Sequence, residues 1–203
     1  MNFVPFCGFD FSRRKMAQMQ KGDALLIVDV QNDFCPGGAL AVEEGDQVVP
    51  VLNRWIEEAQ RRDIPIYASR DWHPPHHISF RERGGPWPPH CVQGTEGAAF
   101  HPDLRLPPNI EVVSKGYEPD KDSYSAFGGT GLGEKLRNAH IKRLWIGGLT
   151  EDYCVRETSL DAIRAGLEVH VIVEGTRPVN VKPVDGRRAL EDIVRAGAIL
   201  ERS

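Results

Sequence analysis

The chain is poor in the features that mark special classes of protein. Four cysteines in 203 residues stand far apart, at Cys7, Cys35, Cys91 and Cys154, with no CxxC pair. That excludes a dense disulfide framework and reads as reduced thiols in a cytoplasmic protein. No apolar run approaches the ~20 residues needed to cross a bilayer, so no membrane role is indicated. Neither sign of charge dominates: 25 Lys and Arg face 29 Asp and Glu, a formal net charge of -4. A nucleic-acid partner is therefore not expected. No GxGxxG follows the first apolar segment and no GxxxxGK[ST] occurs, which removes the Rossmann and P-loop nucleotide readings.

What is present is an ordinary globular composition, 27% charged and 40% hydrophobic, with length for one α/β domain. Residues 1–20 stand apart. Phenylalanines come first and Arg13, Arg14 and Lys15 follow, the reverse of a secretory signal. They read as a poorly ordered extension, or as an early start ahead of Met16 or Met19, before a single domain over 21–203.

From Ala24 onward, short apolar runs alternate with helical patterns. Strands are expected at 24–28, 64–69, 110–114, 144–146, 168–173 and 198–200. Helices are expected from a capping Asp46 to Arg61, from Gly131 to His140, from Tyr153 to Ala165, and from a capping Asp185 to Ala196. The alternation predicts a three-layer αβα fold, with a mostly parallel sheet of about six strands and helices on both faces. The stretch from Asp71 to Asn109 is rich in Pro, Gly, His and Trp and lacks either period. A loop of that length is usually functional.

The groups with chemical potential follow strand ends: Asp29, Asp71, Lys115 and Cys154. Ligands in parallel sheets bind at that rim. Cys154 is expected in the first turn of a helix, where the positive end of the dipole favours thiolate. The amides of Thr150 and Cys154 could form an oxyanion hole. Asp29 and Asp33 compete as base, with Asp29 nearer the buried strand and more easily raised in pKa. Lys115 at the rim would favour thiolate and hold developing negative charge. Asp71-x-His73 followed by a more distant histidine is a pattern for a divalent metal, and spacing leaves His73, His76, His77 and His90 all open. Phe34, Trp87 and Tyr124 could wall a flat aromatic substrate.

Four segments in order, VDVQNDFCPGGAL (28–40), SRDWHPPHHISFRERGGPWPPHCVQGT (69–95), SKGYEPDKDSYSAF (114–127) and DYCVRETSLDA (152–162), resemble the nicotinamidase/pyrazinamidase branch of the isochorismatase-like cysteine hydrolases. The resemblance implies hydrolysis of nicotinamide or pyrazinamide through a cysteine thioester, as in NAD salvage. It implies a triad of Asp29, Lys115 and Cys154, and one divalent ion on Asp71, His73 and His90, with water or His77 completing the shell. Zinc comes first, with iron or manganese as alternatives. It implies that Phe34, Trp87 and Tyr124 sandwich the ring, and that the Leu149–Thr150 peptide is cis. The turn reads Thr-Glu-Asp-Tyr-Cys where the family often has Ala-Thr-[Asp/Glu]-Tyr-Cys, which bears on substrate preference more than on reaction type. A sister amidohydrolase acting on N-carbamoyl or ureido substrates is the alternative. Homo-oligomerisation is left open.

Overall fold

Six consecutive buried residues, Asp23–Val28, form the first strand, β1. Their alternation sorts them between two cores. Leu25 and Ile27 enter one, and Ala24, Leu26 and Val28 enter the other. The structure is a computed structural model in which residues 18–202 are described. The further elements are α1 (Val48–Arg61), β2 (Ile66–Asp71), β3 (Glu111–Lys115), α2 (Leu132–Asn138), β4 (Arg143–Leu149), α3 (Arg156–Arg164), β5 (Glu168–Arg177), α4 (Asp185–Ala196) and β6 (Ile199–Glu201). The sheet order is β3-β2-β1-β4-β5-β6, and every pair is parallel.

Helix α1 presents Val48, Val49, Leu52, Trp55, Ile56 and Ala59 to the core of Leu25 and Ile27. A buried side chain such as Leu52 contributes about 1.5–3 kcal/mol. Helices α2, α3 and α4 place Leu132, Leu136, Ala162 and Ile193 in the opposite core. This is the expected three-layer arrangement. No helix among the described residues is long and apolar enough to cross a membrane.

Several boundaries differ from expectation. β4 continues through Gly147 and Gly148, where the sequence offers no apolar run. Gly148 pairs with Val28 at φ +134, and a Cβ there would overlap the Val28 backbone, so only glycine lets β1 come this close. Asp46 caps nothing: it lies in a short 3-10 turn, Gly45–Gln47, that precedes α1. Asp185 accepts from Lys182 N and does not cap α4. Residues 1–17 of the expected extension lie outside the described residues. Its last part is built into the body, since Met19 is buried in the α1-side core and its carbonyl accepts from Arg62 Nη1.

The direction of sheet growth reverses between β1 and β4. The carboxyl ends of β1, β2, β3 and β4 deliver Asp29, Asp71, Lys115 and the turn bearing Cys154 to that switch point.

Candidate active site

Lys115 is the last residue of β3 and is fully buried. Its Nζ lies 2.5 Å from Asp71 Oδ1, 2.9 Å from Asp29 Oδ2 and 3.3 Å from Cys154 Sγ, and it reaches Ser123 O at 3.4 Å. Burial alone would lower this lysine's pKa. The carboxylates of Asp29 and Asp71 outweigh it and raise the group well above the ordinary lysine range, so it stays an ammonium.

The two oxygens of Asp29 are not equivalent. Oδ1 accepts from Ser69 Oγ at 2.7 Å. Oδ2 is buried, stands 2.9 Å from the Lys115 ammonium, and belongs to the carboxyl that the Cys154 thiol faces. Asp29 Oδ, Asp71 Oδ and Cys154 Sγ lie within 4.8 Å of one another. Burial, helped by Asp71 and opposed by Lys115, raises the Asp29 pKa, which suits a base near neutral pH. Asp29 also holds φ +48, rare for a residue with a side chain, of the kind that clusters at functional sites.

Asp33, the competing base, is occupied elsewhere. Its oxygens accept from Ala39 N at 3.0 Å and Cys91 N at 2.7 Å.

Cys154 departs from expectation in two ways. It lies in a wide π turn, Glu151–Val155, and α3 begins only at Arg156. Such turns are frequent at functional sites. Its thiol is pushed well above the usual range, first by burial, then by Asp29 and Asp71, against the pull of Lys115. Burial thus outweighs the helix start and Lys115, both of which were expected to favour thiolate. The Leu149–Thr150 peptide ahead of it is cis.

Asp71, His73 and His90 form a second buried cluster, their ligand atoms within 4.8 Å of one another. His73 Nδ1 pairs with Gly116 O at 2.9 Å and His90 Nδ1 with Pro88 O at 2.8 Å. With Nδ1 donating, each ring keeps its Nε2 lone pair for a cation, the arrangement of metal-binding histidines. Burial lowers the His90 pKa and favours that neutral form. The donor set of one carboxylate and two imidazoles fits zinc, iron or manganese. His77 does not complete it: Nδ1 pairs with Ser79 Oγ at 2.7 Å and Nε2 with Lys121 O at 3.1 Å. Its ring stacks on His73 with centroids 4.2 Å apart, a supporting contact.

Both clusters open on one cleft of about 340 Å³, counting its open mouth. Phe34, Trp87 and Tyr124 all line it, with Thr150 and Cys154 at its floor. Trp87 Nε1 donates to Tyr124 OH at 3.0 Å. Sequence reasoning missed Tyr153, whose ring meets Trp87 edge-on at 5.0 Å and Tyr124 at 5.3 Å. Its place beside Cys154 was the available signal. It also missed Leu40 and Val179 in the cleft wall. Val179 is seated by Asp152, whose carboxylate accepts from Val179 N at 2.9 Å and Asn180 N at 2.8 Å.

A parallel αβα sheet with a buried cysteine, aspartate and lysine at its switch point describes the class. The isochorismatase domain matches residues 23–201, and the chain belongs to that family. It is 45% identical over 198 residues to a nicotinamidase of Escherichia coli (strain K12), covering 87% of this chain and 93% of that protein. A crystal structure of the Pyrococcus horikoshii pyrazinamidase in complex with zinc superposes with a TM-score of 0.86 at 47% identity, covering 90% of this chain and 99% of that one. PnC1 of L. infantum in complex with nicotinate gives a TM-score of 0.84 at 34% identity, covering 92% and 96%.

Proposed function

We propose that the protein is a nicotinamidase, releasing ammonia from nicotinamide, and from pyrazinamide, through a thioester on Cys154. The observation that carries this reading is the meeting of Lys115 Nζ with Asp29 Oδ2 and Cys154 Sγ beneath an aromatic cleft.

Asp29 Oδ2 takes the Cys154 proton as sulfur attacks the carboxamide carbon. The N–H groups of Thr150 and Cys154 hold the oxyanion, a contribution worth ~10²–10³ in rate per donor. Asp29 returns its proton to the leaving nitrogen, and ammonia departs. Asp29 then takes a proton from water as that water attacks the thioester carbon. Nicotinate leaves, and sulfur recovers a proton from Asp29. Lys115 remains charged throughout and holds the anionic partners. Phe34, Trp87 and Tyr124 clamp the ring. Asp71, His73 and His90 would hold one divalent ion, zinc first, which supplies a Lewis-acidic anchor for the ring nitrogen. A cytoplasmic location belongs to the same reading, supported by the free thiols of Cys35, Cys91 and Cys154.

The test is ammonia release from nicotinamide, pyrazinamide and N-carbamoyl compounds by the purified chain. Turnover of the pyridine and pyrazine amides is expected. Turnover of N-carbamoyl compounds alone would favour the sister amidohydrolase, and no turnover of any amide would remove the catalytic reading.

A further inference from the structure

Between β1 and the cleft, the turn Gln31-Asn32-Asp33 touches no reacting atom in the steps above. Two of its side chains, Gln31 and Asp33, bond instead to the segments that carry the three candidate metal ligands. Buried Gln31 grips the backbone of Asp71 from both sides: Oε1 accepts from Asp71 N at 2.8 Å, and Nε2 donates to Asp71 O at 2.8 Å. The same Nε2 donates to Ala98 O at 3.0 Å. Asp33 Oδ2 accepts from Cys91 N at 2.7 Å, a short charge-assisted bond, and Oδ1 accepts from Ala39 N at 3.0 Å.

Cys91 is the hub between the two histidines. It follows His90 directly, and its carbonyl accepts from His73 N at 3.0 Å. It holds φ +46, a conformation that residues with side chains rarely adopt. Such a backbone persists where neighbours over-determine it, and the Asp33 carboxylate is the charged group bonded to its amide. Gly97 packs so closely on that carboxylate that a Cβ would overlap it. The approach of Asp33 to this segment is therefore built for a glycine.

We propose that Asp33 and Gln31 are positioning residues for the metal site. Asp33, by holding Cys91 left-handed, fixes His73 and His90 relative to each other, and Gln31 fixes Asp71. If the Asp33–Cys91 bond is lost, Cys91 relaxes toward negative φ. The carbonyl that anchors His73 then rotates, and the chain leaving His90 changes direction. The inference rests on reading Asp71, His73 and His90 as ligands. Partners of ligands typically alter metal affinity by about 10- to 100-fold.

The experiment measures zinc affinity of the metal-free chain against a chromophoric chelator, and the visible spectrum of the cobalt(II) form. Asp33→Asn is isosteric but leaves one uncharged oxygen for two N–H donors, Ala39 N and Cys91 N, so the charge-assisted bond to Cys91 N is lost in either orientation of the amide. It should lose about 10- to 100-fold in zinc affinity and shift the cobalt bands. Asn32→Ala removes a bond to the same segment, Asn32 Nδ2 to Glu96 O at 2.8 Å, and should leave zinc affinity unchanged. A folded Asp33→Asn with wild-type zinc affinity overturns the proposal, as does an equal loss in Asn32→Ala. Should Asp33→Asn not fold, Gln31→Glu is read by the same criterion, since it keeps the acceptor for Asp71 N but sets a carboxylate oxygen against two carbonyls. A wild-type chain that binds no zinc removes the ligand reading itself, an outcome distinct from the others.

Discussion

The ammonium of Lys115 stands 3.3 Å from the sulfur of Cys154, yet the thiol's pKa is raised. The same ammonium also neutralises Asp29 and Asp71, and burial exceeds what remains of its pull on sulfur. Burial therefore favours the protonated sulfur, and the proposed role of Asp29 is to take that proton.

Replacing Asp29 by Asn should separate thiol acidity from catalysis. Removing a neighbouring negative charge leaves Lys115 less opposed, so the Cys154 pKa should fall. Turnover should fall too, by ~10²-fold or more, because the base is gone. The pH dependence of iodoacetamide labelling at Cys154, read beside ammonia release, checks both.

Lys115→Met should unfold more easily by about 3–5 kcal/mol near neutral pH, the usual result of stranding buried charges. Asp29, already raised by burial, would then carry a folded-state pKa still further above its unfolded one. Stability should recover as pH falls through the folded value, since protonation removes the stranded charge. Urea unfolding of wild type and variant at about pH 5 and about pH 7.5 tests the sign.

Two histidines on one loop should behave oppositely. His90→Ala should lower bound metal below one ion per chain and raise the KM for nicotinamide. His77→Ala should leave metal content near wild type, since both of its nitrogens are already paired. Metal analysis of the purified variants decides this. Chelator treatment of wild type should abolish turnover, and added zinc should restore it.

Asp152→Ala should free the segment that seats Val179 in the cleft wall. Losing two charge-assisted bonds loosens the wall without touching the reacting atoms. KM should rise about 10-fold, with a smaller change in kcat. Asp152→Glu should recover part of the loss. Steady-state kinetics on nicotinamide measures both.

The order of elements was legible because apolar runs such as Leu25–Val28 alternate with stripes such as Leu52–Trp55–Ala59. The gathering of Asp29, Asp71, Lys115 and Cys154 at one rim was legible for the same reason, since each follows an apolar run. The ends of β4 and β5 were hidden, because Gly147, Gly148, Thr176 and Arg177 are held by sheet pairing and not by apolarity, and the pairing of β4 with β5 resumes only after a bulge. Asp46 and Asp185 mislead as caps because nearby turns take up the helix starts. The protonated state of Cys154 was not legible locally. It is the sum of burial and charges brought from β1, β2 and β3. Tyr153 and Val179 reach the cleft through the π turn and the Asp152 clamp, neither of which leaves a periodic signal.

Ammonia release from nicotinamide by Cys154→Ala, compared with Cys91→Ala and Cys35→Ala, tests the central claim most directly. The account predicts that Cys154→Ala, folded by circular dichroism, loses turnover by ~10⁴-fold or more. The thiols of Cys35 and Cys91, raised by burial, take no part in the proposed steps, and their loss should leave measurable turnover. Wild-type turnover in Cys154→Ala would contradict the account.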